Sequence, residues 1–119
     1  MQLKLKKMNW FVRLFFGGAA AVTLAPWAIY FNKLSLATIP TIVNHERTHE
    51  LQQYELMVIL FYIFYCLEWL IKSILIMGNA YRSISFEVEA YRHDHMVHYN
   101  ETRKPYTWIK YLFVLYPKK

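Results

Sequence analysis

Residues 44–53 read NHERTHELQQ, with His45 and His49 four positions apart and Glu46 beside the first. On a helix this spacing places two imidazoles one turn apart on one face, within reach of a single metal ion. It also sets the glutamate near the water that such an ion would hold. A catalytic zinc site takes three protein ligands and keeps one position open. Downstream, SFEVEAYRHD offers Glu87, Glu89 and His93 on a second, short helix. Glu87 and Ala90 share a helical face, so the small Ala90 permits close approach. Glu89 lies about 200° around from Glu87, so only one of the two carboxylates can face the ion.

These side chains need rigid elements behind them. Pro40 suits the first turn of a helix, where its missing N–H costs nothing, and Ile39 before it is biased to extended backbone. A helix is therefore expected from about residue 40 to 54, carrying both histidines. Residues 56–77 form a second helix in which Glu68 and Lys72 pair at i,i+4, and Gly78-Asn79 ends it. A third, short helix begins at Ser85 as N-cap, with Glu87 in its first turn, where the helix dipole favours an acid. NETRKP reads as a loop and YTWIKYLFVLY as a closing helix or strand. AVTLAPWAIYF reads as two short strands around a turn at Ala25-Pro26. The expected fold class is α+β in one domain over residues 1–119.

The chain carries a net charge of +6, with 56% hydrophobic and 18% aromatic residues and one cysteine. Cys66 excludes both an intramolecular disulfide and a cysteine-based zinc site; within its apolar run it reads as a small buried or lipid-facing residue. The basic residues gather at the ends: Lys4, Lys6, Lys7 and Arg13, then Arg103, Lys104, Lys110, Lys118 and Lys119. The three helical turns from 56 to 67 are apolar all round, and a chain of this size has no large core to bury them. Lipid contact is the expected reading, with a core or homodimer helix as the other. The basic ends then face an anionic membrane rather than nucleic acid. Counted through Met77, the run is also long enough to span a bilayer of roughly 30 Å. Arg13, Gly17-Gly18 and Pro26 interrupt the N-terminal apolar stretch and argue against a signal peptide.

HERTH followed by FEVEA resembles the gluzincin branch of the zincin metallopeptidases, over roughly residues 20 to 92. It is also similar to small bacterial gluzincin-like proteins with a strand hairpin, then HExxHxxQQ, then a Glu-x-Glu-Ala helix, an extension that His49, Gln52 and Gln53 fit. The resemblance implies a minimal, mainly helical zincin-like fold with an N-terminal β-hairpin. It implies Zn2+ held by His45, His49 and Glu87, with Glu89 in reserve, and Glu46 as general base in peptide hydrolysis. The hairpin would supply the edge strand along which a peptide or protein substrate lies. In many such proteins an Asp follows the Ala; Tyr91 stands there, so the partner that would orient a ligating histidine is missing from its usual place.

Tyr91, His93, His95 and Tyr99 are candidate donors to the oxyanion of such a reaction. His93, His95 and His98 could form a second metal site, but they lack sharp ligand spacing and read rather as a solvated, partly basic loop or helix end; Gln52 and Gln53 read as surface polar residues. The competing function is a non-catalytic, membrane-associated scaffold that keeps a zincin-like shape. A nucleic-acid binder has no module here to support it. The expected location is at a membrane, with the cytoplasm as alternative.

Overall fold

The computed structural model describes residues 2–76 and 79–115. Three short strands, β1 (Lys4–Lys7), β2 (Ala21–Leu24) and β3 (Ala28–Phe31), form a sheet in the order β1-β3-β2. β2 and β3 are the expected antiparallel hairpin, in register Ala21 to Phe31 and Leu24 to Ala28, and the Ala25-Pro26 peptide bond between them is cis. β1 pairs parallel with β3 and was not foreseen. Its lysines hide the strand character, because a pairing between distant segments leaves little local trace. A short helix, α1 (Trp10–Phe16), connects β1 to the hairpin, capped by the Asn9 side chain, which accepts from the Val12 N–H.

Pro40 opens α2 (Pro40–Glu55), and Ile39 ahead of it is extended, as expected. The next helix, α3 (Ile59–Ile76), starts three residues later than the apolar run implies. Met57 and Val58 both take positive φ, 53° and 64°, and reverse the chain between the two helices. Left-handed backbone is costly for a β-branched residue such as Val58 and escapes a composition-based reading. Gly78 and Met77, where the expected helix end falls, lie outside the described residues. Beyond them come α4 (Ala80–Ser83), α5 (Ser85–His93), α6 (Tyr99–Thr102) and a 3-10 turn over Thr107–Tyr111 in place of a closing helix or strand.

Ser85 begins a helix as expected but does not cap it with its own side chain. Its N–H and hydroxyl both donate to the Glu68 carboxylate of α3, at 2.6 Å each. Glu68 also holds Lys72 at 2.7 Å, the pairing their spacing implies, and the Lys72 ammonium donates to the Ser83 carbonyl. One carboxylate thus satisfies a helix start that would otherwise be buried with a free donor.

Two apolar clusters flank α2. One joins Leu56, Phe61, Ile84, Phe86 and Trp108, and the other joins Leu3, Ala25, Ile29 and Phe31 of the sheet. Between them α2 buries polar groups: His45, Glu46, Thr48, His49, Glu50, Gln52 and Gln53. Each needs a partner, because an unpaired buried polar group forfeits its hydration. Glu50 accepts the Leu3 N–H and the Arg47 guanidinium; Thr48 Oγ1 lies 2.8 Å from Asn100 Oδ1 and 3.0 Å from the Asn44 carbonyl, its one hydrogen serving either. Gln53 accepts the Ala25 N–H at 2.9 Å and donates to the Thr23 carbonyl at 2.8 Å, pinning the hairpin to α2. Gln53→Leu strands the Ala25 N–H. The expected result is a loss of about 1–3 kcal/mol, read as a lower urea midpoint at unchanged slope.

Candidate metal centre

His45 and His49 project from α2 towards Glu87 in the first turn of α5. Among the described residues, this is the group of histidine, cysteine and acidic side chains that could hold a metal ion, with all three ligating atoms within 4.8 Å of one another. His45 Nε2 lies 3.0 Å from Glu87 Oε1, and His49 Nε2 lies 3.1 Å from Glu87 Oε2. The two Nε2 atoms are 3.2 Å apart. Two ligands each 2.0–2.1 Å from one tetrahedral ion would stand about 3.3 Å apart. The site is buried, with each of the three residues under 8% exposed.

The tautomer of His49 strengthens this fit. Gln52 Nε2 donates to the Phe86 carbonyl at 3.0 Å and to Glu89 Oε1 at 2.9 Å, so Gln52 Oε1 is the acceptor facing His49 Nδ1 at 2.8 Å. His49 Nδ1 therefore carries a hydrogen, and in the neutral ring Nε2 presents a lone pair. His45 Nδ1 lies 3.7 Å from Asp94 Oδ2. The His49 lone pair, the His45 Nε2 and the Glu87 carboxylate thus converge, a donor set that suits a cation or a shared proton. The titration behaviour says the same. Burial disfavours a charged His49, but the Glu87 carboxylate, with smaller help from Glu46 and Gln52, outweighs it and raises the pKa to about 9. Burial likewise opposes ionisation of Glu87, and the two imidazoles overcome it, holding its carboxyl below the usual range.

The surroundings hold these ligands in place. Tyr65 donates to Glu87 Oε2 at 2.7 Å and Tyr81 to Oε1 at 3.2 Å. Burial and the Glu87 charge raise the Tyr81 pKa, so Tyr81 stays a donor. The Tyr91 ring packs edge-on against His45, centroids 4.3 Å apart. Asp94, one helical turn beyond Tyr91, brings its Oδ2 to 3.7 Å from His45 Nδ1, an ion-pair distance rather than a hydrogen bond. Glu89, the reserve ligand, turns away and receives Arg103 Nε at 2.5 Å, Tyr99 Oη at 2.6 Å and Gln52. Burial opposes its ionisation, but these donors, Arg103 above all, lower its pKa. Arg103 also grips Glu55 at the end of α2, at 2.6 Å.

Several sequence expectations change. Gln52 and Gln53 are interior groups, 0% and 2% exposed, because the face of α2 opposite solvent is polar. Of the four proposed oxyanion donors, Tyr91 is at the site. Tyr99 serves Glu89, His93 stacks on Tyr99 at 4.0 Å and meets Tyr111 Oη, and His95 is exposed. His98 pairs with Glu101 at the surface, so the three histidines of this cluster do not converge. Tyr65 and Tyr81 were missed; Tyr65 shares a helical face with Phe61 and Glu68, the only clue the chain gave. Cys66 is exposed.

Glu46 extends from α2 towards the hairpin. Thr23 Oγ1 of β2 lies 2.8 Å from Glu46 Oε1 and 3.0 Å from the Glu46 carbonyl. Two cavities meet at this carboxylate. One, of about 470 Å³, is lined by Ala19, Ala21, His45, Tyr81 and Tyr91. The other, of about 390 Å³ and mostly apolar, is lined by Phe16, Val22, Phe61, Tyr62 and Cys66, with His49 and Glu87 among its polar members. No protein family, curated protein or solved structure matches the chain.

Two substitutions separate anchoring from ligation. Gln52→Met should keep the fold yet weaken affinity for a divalent ion about 10- to 100-fold, measured by competition with a chelating dye. Arg103→Met leaves Glu89 buried without its main counter-charge and should cost about 3–5 kcal/mol of stability by chemical denaturation.

Proposed function

We propose that the protein is a zinc-dependent metallopeptidase. The observation that carries this reading is the meeting of His45, His49 and Glu87 with Glu46 poised one residue from a ligating position, at the junction of two cavities beside an edge strand. Two imidazole nitrogens and one carboxylate oxygen are a donor set that suits zinc. When bound, the ion supplies Lewis acidity and brings an adjacent water towards a pKa of about 7.

The chain's own residues do the rest. β2 lies at the edge of the sheet with one side paired to β3. The Thr23 carbonyl points away from β3, towards Gln53 and Tyr62. By the alternation of an antiparallel strand, the N–H and C=O of Ala21 point outward as well, into the cavity region. An extended peptide can pair there and present a carbonyl to the site. Glu46 Oε takes a proton from the attacking water as its oxygen bonds to the carbonyl carbon. It then returns the proton to the amide nitrogen as the C–N bond breaks. Thr23 orients the carboxylate throughout. Tyr81, which lines both cavities and stays protonated, is the donor that would serve the oxyanion by turning its hydroxyl from Glu87 Oε1.

Glu46→Gln retains the oxygen that Thr23 holds and removes the base. Metal content and melting temperature should match wild type, while hydrolysis of a casein-type substrate or peptide library falls by a factor on the order of 10² or more. Equal activity in the two proteins would end the peptidase reading. Tyr81→Phe should lower kcat by about 10²-fold with metal retained.

A further inference from the structure

Two helices turn the wrong face to solvent. In α1, Trp10, Phe11, Leu14 and Phe15 are each more than half exposed, while Val12 is the residue buried inside. In α3, the 18 residues from Ile59 to Ile76 are apolar enough in composition to enter lipid, and 11% of them are buried. Ile63, Leu67, Leu70 and Ile74 follow helical spacing along its outer face, and all are exposed. Isolated exposed apolar residues need no explanation, but a continuous face of this size does.

The inner side of α3 decides how lipid could meet it. Tyr62 reaches the Thr23 carbonyl, Tyr65 reaches Glu87, Glu68 caps α5, and Lys72 is buried against Glu68 and Ser83. These contacts follow the helix over ten residues, about 15 Å of its length. Crossing the bilayer would drag the polar body attached to that side into hydrocarbon. Lying in the interface plane, with the outer face down, does not. Charge selects the kind of surface. Lys4, Lys6 and Lys7 of β1, which precedes α1 in the chain, and Arg13 of α1 itself are exposed, and they suit anionic headgroups. Trp10 on α1 and Trp69 on α3 are exposed, as interfacial anchors are.

The smaller cavity links this face to the chemistry. Phe16 at the end of α1 and Phe61, Tyr62 and Cys66 of α3 line it, and Glu46, His49 and Glu87 lie within it. We infer that α1 and the outer face of α3 seat the protein flat on an anionic bilayer, and that the cavity between them admits an apolar residue of a peptide segment lying at that membrane surface. The docking half stands on the exposed faces alone; the substrate half rests on the peptidase reading.

Flotation tests docking without any reaction. Wild type should float with vesicles of phosphatidylcholine and phosphatidylglycerol, and bind pure phosphatidylcholine vesicles about tenfold less or weaker still. Leu67→Asp with Ile74→Asp, and separately Trp10→Ser with Phe11→Ser, should lose flotation while keeping wild-type metal content. The metal content shows that each fold survives. Glu46→Gln should float like wild type. Wild type that stays unbound and runs as a dimer, its α3 face covered by a second copy, overturns docking, as does undiminished flotation of both double variants. Cleavage is then compared between an apolar peptide anchored in the same vesicles and its unanchored form. Faster cleavage of the anchored peptide supports the substrate assignment, and equal rates overturn it. Flotation with neither peptide cut removes the peptidase reading and leaves docking standing. Cleavage without flotation does the reverse.

Discussion

The architecture depends on α2, a helix that is both central and polar. A central helix ordinarily contributes aliphatic side chains; this one contributes two imidazoles, two carboxylates, two amides and a hydroxyl. Burying them unpaired would cost more than the two small apolar clusters beside them could return. Several of the surrounding elements therefore meet α2 through polar contacts. The hairpin is held by Gln53 and Glu46, the N-terminal segment by Glu50, α5 by the two histidines and Gln52, α6 by Thr48, and the segment after it by Glu55 through Arg103. Packing gives these contacts a dry setting in which they are stronger and more directional.

One consequence is that structure and site share residues. Gln52 fixes the tautomer of His49 and at the same time ties α2 to the Phe86 carbonyl and to Glu89. Gln53 anchors the edge strand that borders the cavities. The ligand set is thereby positioned by elements whose own placement depends on it. Such reciprocity explains how so short a chain holds three ligating groups within hydrogen-bond distance of one another. It also accounts for the titration of the pair: the Glu87 carboxylate outweighs burial and raises the His49 pKa to about 9, and the two imidazoles hold the Glu87 carboxyl below its usual range.

A second consequence concerns the surface. With the interior given over to polar groups, much of the apolar content has no interior to occupy, and it sits on α1, on the outer face of α3 and near the C-terminal turn. The interior is thus shared between two small apolar clusters and the polar groups of α2.

The sequence by itself determined the local features. The spacing of His45, Glu46 and His49, the start at Pro40, the hairpin around Ala25-Pro26 and the Glu68–Lys72 pair all depend on neighbours within a turn or two, so they are written in the chain. Helical angle allowed only one of Glu87 and Glu89 to face the histidines, and the choice of Glu87 came from the family resemblance. The tertiary structure decided what depends on distant partners. Gln52 and Gln53 look like surface residues until Phe86, Glu89 and the hairpin close over them. Asp94 reaches His45 from a position that no motif marks, and Tyr65 and Tyr81 come from two different helices to one carboxylate. β1 joins β3 across more than twenty residues, and the reversal at Met57-Val58 uses backbone conformations that those residue types disfavour. Side-chain spacing encodes a helix face, but the partner of a buried polar group is fixed only when separate segments meet.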